Sequence, residues 1–194
     1  MIHKWFPTAV MFQEEILSQS ENEKLYNHIK YLNNVVKKGG EDWLSDVKNT
    51  SGTYDCNKDN VFNFLHKSVS LYVNEFSEKF GCVKKMICEN SWYNYYEKGD
   101  YQEFHTHPYN YFSAVYFVRC LKNSSKLCFQ NPYSNNMLPL PVKKYNDLSF
   151  DIIEYEPVNN SLVIFRSNIP HMVPKNKSQE RITMSFNYKL EEKE

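Results

Sequence analysis

Three of the six histidines fall in the C-terminal half of the chain at positions suited to holding a metal ion. His105 and His107 are two residues apart in a run with extended character, so their imidazoles should leave one face of a strand while Thr106 leaves the other. A third imidazole, His171, arriving from a distant strand would complete one face of an octahedral ion and leave three adjacent positions open. His-x-His alone is weak evidence, since a solvated strand face can carry the same pair. What strengthens it is the company: Tyr96 and Gly99 precede the pair, and Arg181 and Thr183 follow His171 after ten and twelve residues. The chain has only three arginines, at 119, 166 and 181, among its 23 basic residues, which makes an Arg in this register a rarer coincidence. Arg119 and Arg166 end strands and read as surface cations. His3, His28 and His66 lie in the helical part without ligand-like neighbours and read as surface or packing residues.

The elements that must position these groups divide the chain near residue 90. Before it, Leu25, Ile29, Leu32, Val35 and Val36 have helical spacing over Ser20–Lys38, with Ser20 and Glu23 as a capping pair and Gly39-Gly40 as the stop. A second amphipathic helix is expected over about 60–80, ending at Gly81. The stretch Trp43–Asn57 between them reads as a loop and is a candidate for the substrate mouth. After Ser91 the texture changes to eight short aromatic and β-branched runs: 91–97, 103–107, 112–120, 126–130, 150–156, 161–165, 171–174 and 181–189. Turn residues separate them, which predicts a barrel or sandwich. The long Pro-containing linker Asn131–Ser149 is a candidate lid. The domain expectation is therefore an N-terminal strand and helical part, 1–90, packed on a β core, 91–190, as one integrated unit.

Composition narrows the partner. The chain has 194 residues, 23 acidic and 23 basic side chains and no net charge, which gives no electrostatic case for coating nucleic acid or anionic membrane. No apolar stretch approaches the roughly 20 residues of a membrane-spanning helix. Five cysteines form an odd set without a paired motif, and the N-terminus lacks a secretory signal pattern, so a reduced cytoplasmic protein with cysteines in its core is expected. Thirteen Phe, 15 Tyr and three Trp supply core-filling bulk, and Trp43 and Trp92 are assigned to that packing.

The order Tyr96-x-x-Gly99, His105-x-His107, His171 and Arg181-x-Thr183 resembles that of the Fe(II)- and 2-oxoglutarate-dependent oxygenases, closest to their prolyl-hydroxylase-like branch. The runs WYNYYEKGDYQEFHTHP, SAVYFV, LCFQNP, LVIFRSNIPH and ERITMSFN are more narrowly similar to such oxygenases of bacteria and marine viruses. The resemblance covers about 91–188. It implies a mainly β fold with N-terminal helices around a double-stranded β-helix, the cupin-like jelly roll. It also implies metal ligands on the second core strand, a distal His opening the seventh and a basic residue opening the eighth. One departure is clear: the family pattern has a carboxylate where this chain has His107. Asp100, in a preceding turn, is an alternative carboxylate.

The function implied is hydroxylation of an unidentified substrate by dioxygen with Fe(II) and 2-oxoglutarate. His105, His107 and His171 would hold the metal. Arg181, Thr183 and Tyr96 would anchor the far carboxylate of the co-substrate, with Asn94, Tyr116 and Asn131 as supporting residues. Two alternatives are a three-His dioxygenase or cupin-like enzyme that does not use 2-oxoglutarate, and a non-catalytic jelly-roll binding module.

Overall fold

The last strand shows how the molecule is layered. Its sequence alternates Arg181, Thr183, Ser185 and Asn187 with Ile182, Met184, Phe186 and Tyr188, and the two-residue repeat of a strand sends these sets to opposite faces. The apolar set packs beneath two helices, and Arg181, Thr183 and Ser185 border a cavity.

The computed structural model describes residues 1, 3, 5–40, 43–133 and 141–192. In chain order the elements are β1 (Val10–Gln13), α1 (Gln19–Val35), β2 (Lys48–Asn49), α2 (Asn63–Lys79), β3 (Met86–Tyr96), β4 (Gln102–His105), β5 (Phe112–Cys120), β6 (Leu127–Gln130), β7 (Ile152–Tyr155), β8 (Ser161–Arg166), β9 (His171–Val173) and β10 (Arg181–Leu190). Antiparallel pairing builds a six-stranded sheet, β1-β8-β5-β10-β3-β2, and a four-stranded sheet, β4-β9-β6-β7. β3 to β10 are the eight strands of the jelly roll expected from the sequence.

Two apolar layers result. Leu25, Ile29 and Leu32 of α1 and Leu65, Val69, Val73 and Phe76 of α2 cover the outer face of the large sheet, against Tyr93, Tyr95, Tyr116, Met184 and Phe186. Between the sheets, Val115, Phe117, Val163 and Phe165 meet Leu127, Phe129 and Val173. Burying a side chain of this size contributes about 1.5–3 kcal/mol, so both layers act in locking the sheets around the cavity.

Several boundaries differ from the sequence expectation. The α1 cap is Ser18, whose hydroxyl accepts from the Glu21 N–H while Glu21 accepts from the Ser18 N–H. Ser18-x-x-Glu21 is itself a capping box, and Ser20 lies inside the first turn. The helix stops at Val35, before the glycines; Gly39 instead bridges to Asn49, so close to Ser51 that a Cβ there would lie 2.1 Å from its carbonyl oxygen. Residues 60–62 form a separate 3-10 turn, capped by Asp59, before α2 begins. The expected division at residue 90 falls inside β3, which starts at Met86. The bounds of β1 and β2 were not legible, because each is a short edge segment that borrows its partners from β8 and β3. His107 lies past the end of β4, so it is held by its N–H donating to the Ser167 carbonyl rather than by strand alternation.

Candidate active site

The three histidines converge. His105 ends β4 and His171 opens β9, directly opposite each other in the antiparallel register. Ring centroids are 4.2 Å apart for His105 and His171, 5.0 Å for His107 and His171, and 5.1 Å for His105 and His107. One nitrogen from each ring lies within 4.8 Å of the others.

Hydrogen bonds fix two of the tautomers. His105 Nδ1 is 2.8 Å from the Glu103 carbonyl oxygen and His171 Nδ1 is 3.0 Å from that of Ile169. A carbonyl only accepts, so each Nδ1 carries the proton and each Nε2 keeps its lone pair for a metal. Burial pushes the basicity of all three rings down. His107 falls to about 3, helped by its neighbour His105, and His171 falls well below the ordinary histidine value, helped by His105 and His107. The cluster is therefore neutral at physiological pH, the state in which imidazole binds metal.

Arg181 opens β10 opposite Tyr96 and is fully buried. Its Nε donates to the Ser125 carbonyl at 2.9 Å, and its guanidinium carbon lies 4.6 Å from the Tyr96 ring centroid and 5.5 Å from that of Phe117. Nη1 and Nη2 have no partner, although both are buried. A buried unpaired cation costs several kcal/mol, so this arrangement calls for an anion with two acceptor oxygens.

The histidines and Arg181 border one cavity. Thr183 and Asn94 also border it, as expected: Asn94 accepts from Asn49 and donates to Ser185 at 3.0 Å and to Thr183 at 3.5 Å. Thr183 thus keeps its own proton for another acceptor. Tyr96 lines the cavity too, its phenol donating to Gln102 and its ring lying against the Arg181 guanidinium.

Other expected site residues are elsewhere. Tyr116 faces the helices, where its hydroxyl meets Asn22 and Asn160 at 2.8 Å; its neighbour Val115 borders the cavity. The β5 run FSAVYFVRC is apolar on both faces, so nothing in it marks which parity points inward. Asn131 closes a turn, accepting from the Tyr133 N–H and donating its own N–H to the Asp151 carbonyl. Asp100 caps the Glu97 N–H in its turn and is not part of the metal-ligand group. Arg119 pairs with Glu23, and Arg166 donates to the Tyr111 carbonyl. Of the expected lid, 134–140 lie outside the described residues.

Two residues assigned to core packing are site residues. Trp43 meets His105 edge to face at 4.7 Å, and Trp92 meets His107 at 5.8 Å; both border the cavity. Gln102 and Ser185 were also missed. The signal was available for two of the four: Trp92 shares strand parity with Asn94 and Tyr96, and Ser185 shares it with Arg181 and Thr183.

A jelly roll that brings three neutral imidazoles and an unpaired arginine onto one cavity defines a metal-dependent enzyme of the cupin-like class. The family model described as "Putative 2OG-Fe(II) oxygenase" matches residues 90–187, just over half of the chain. The chain belongs to this family of dioxygenases, which use Fe(II), 2-oxoglutarate and dioxygen. No curated protein matches it in sequence. Among solved structures it is similar to a prolyl-4-hydroxylase from Pseudomonas putida, with 13% identity and a TM-score of 0.67, covering 95% of this chain and 94% of that one. It is also similar to a prolyl hydroxylase from Trichoplax adhaerens, solved with a hypoxia inducible factor peptide fragment, with 12% identity and a TM-score of 0.69 over 93% and 83% of the chains. A third is the viral collagen prolyl hydroxylase of Paramecium Bursaria Chlorella virus-1, in complex with 2-oxoglutarate, with 13% identity and a TM-score of 0.61 over 92% and 94%. These likenesses establish the double-stranded β-helix fold.

The residues fit the groups the family uses. Three neutral nitrogen donors suit a divalent transition metal, and the orphaned guanidinium suits a carboxylate.

Proposed function

We propose that the protein hydroxylates a C–H bond of an organic substrate, with 2-oxoglutarate converted to succinate and carbon dioxide. The observation that carries this reading is Arg181, a buried guanidinium with two unpartnered nitrogens on the same cavity as the histidine cluster. His105, His107 and His171 would hold Fe(II). When bound, Fe(II) with 2-oxoglutarate supplies the oxidising power that activates dioxygen toward the substrate.

The protein's own work is placement and shielding. Arg181 pairs with the far carboxylate of the co-substrate through Nη1 and Nη2, and Thr183 adds a hydroxyl donor from the same strand face. The Tyr96 ring holds the guanidinium plane, and Ser125 fixes its Nε. Leu127, Val115 and Val173 border the cavity with apolar surface and keep water from these charges. With His107 in place of a carboxylate, the protein adds no negative charge beside the metal. The near carboxylate of 2-oxoglutarate would then offset one charge of the ion, while Arg181 neutralises the far one.

A three-His enzyme that does not use 2-oxoglutarate would leave the buried Arg181 without a ligand, and a non-catalytic module would leave both Arg181 and the histidine cluster without one. The neighbours named as prolyl hydroxylases support hydroxylation as the outcome. The odd cysteine set supports a cytoplasmic enzyme, and the neutral charge makes a nucleic-acid substrate the less favoured choice.

Anaerobic titration with Fe(II) and then 2-oxoglutarate tests the proposal. A visible charge-transfer band that requires both components is the expected result. Metal binding without the band would favour a non-2-oxoglutarate enzyme, and absence of metal binding would leave a binding module.

A further inference from the structure

A second orphaned donor, which the co-substrate assignment does not use, belongs to a residue of the cavity lining. Trp92 is 8% exposed, borders the cavity beside His107, and its indole Nε1 has no hydrogen-bond partner. Leaving such a donor unsatisfied costs about 1–3 kcal/mol. Three polar groups of the cavity lining are already engaged as acceptors: Gln102 Oε1 takes the Tyr96 proton, Asn94 Oδ1 takes Asn49, and Ser185 accepts from Asn94. An acceptor oxygen on a bound molecule would satisfy this donor. Arg181, which lies over Tyr96, faces the co-substrate carboxylate, whereas Trp92 flanks His107.

The lining also defines the charge of that molecule. Among the described residues that border the cavity there is no Lys, Asp or Glu, and Arg181 is the sole permanent charge. A carboxylate or phosphate on the substrate would find no second cation, and an ammonium would find no carboxylate. The surfaces beside the histidine pair are instead the rings of Trp43, against His105, and Trp92, against His107. Such rings favour aliphatic or ring carbon.

We propose that Trp92 is a substrate-positioning residue whose indole N–H takes the carbonyl oxygen of an uncharged amide- or lactam-like group, with the carbon skeleton of that group against Trp43 and Trp92. What is then done to the group rests on the oxygenase reading; the recognition itself does not. An N–H to carbonyl bond at one end of the group fixes which of its C–H bonds lies nearest the histidine cluster.

The test uses the ¹H–¹⁵N spectrum of the full chain loaded with redox-inert Zn(II) and 2-oxoglutarate, with 2-pyrrolidinone as the neutral probe and acetate as the charged one. The Trp92 indole signal is assigned by its loss in Trp92→Phe. Expected is a saturable downfield shift of that signal with 2-pyrrolidinone, no shift with acetate, and an unmoved Trp5 signal. Trp92→Phe keeps an aromatic ring and should weaken the lactam by about 3- to 10-fold. No saturable shift with the lactam, an equal shift with acetate, or a shift already complete with 2-oxoglutarate alone would overturn the assignment. If that variant does not fold, the signal is assigned by elimination from Trp5→Phe and Trp43→Phe, and the wild-type titration decides. Failure of the Arg181 Nε–H signal to respond to 2-oxoglutarate would count against the oxygenase reading instead, so the two failures are separable.

Discussion

His105 stands directly opposite His171 where the antiparallel strands β4 and β9 pair. The first ligand therefore belongs to the last residue of one strand and the distal ligand to the first residue of another. Holding one ion between them ties the two ends of that ladder together, and His107 adds the chain that leaves β4.

Metal binding should consequently stabilise the fold. At a free metal concentration 100 times Kd the gain is about 2.7 kcal/mol, which for a chain of this size raises Tm by about 5–10 °C. Differential scanning fluorimetry with and without Zn(II) or anaerobic Fe(II) measures it. His105→Ala should remove the shift, and a shift retained in full would show that the ion binds elsewhere.

Arg181→Met should separate stability from co-substrate binding. A buried cation without an anion is a burden on the metal- and co-substrate-free protein, so an apolar side chain of similar length should leave its Tm unchanged or higher. The same variant should lose 2-oxoglutarate affinity by on the order of 100-fold in calorimetry of the Zn(II)-loaded protein. Undiminished affinity would remove Arg181 from the site.

Tyr116→Phe tests the placement of β5. Its hydroxyl joins Asn22 and Asn160 on the helix side of the large sheet, so the variant should lose about 1–2 kcal/mol in urea unfolding. Metal and 2-oxoglutarate affinities should not change. A large loss of either would place Tyr116 on the cavity side after all.

Glu180 should make stability fall on acidification. Burial would raise its carboxyl, but hydrogen bonds from Lys30, Tyr95 and Tyr26 outweigh burial and hold it below the ordinary value. A depressed folded-state value contributes stability that is fully present above the unfolded value of about 4.3 and is lost as pH falls through the folded one. Urea midpoints measured from about pH 6 down to pH 3 should drop in the wild type and respond less in Glu180→Gln. Equal slopes would show that this network does not carry the acid sensitivity.

Much of the site was legible because metal and anion recognition require particular chemistries at strand spacing. His105, His107, His171, Arg181, Thr183 and Asn94 could all be placed from residue type, order and parity. Tyr116 and Asn131 could not, since an all-apolar strand hides its inward face and a residue just past a strand can turn either way. The indoles of Trp43 and Trp92 looked like filling because a Trp inside a core and a Trp beside a cavity have the same sequence signature.

By itself the sequence determined the eight-strand order, the two covering helices and the donor types, because alternation, turn residues and ligand chemistry are local properties. Tertiary structure alone decided which donors lack partners. The open Nη1 and Nη2 of Arg181 and the open Nε1 of Trp92 exist only because distant strands have already engaged, or failed to reach, every acceptor around them. Hydrogen-bond satisfaction is a property of the packed molecule.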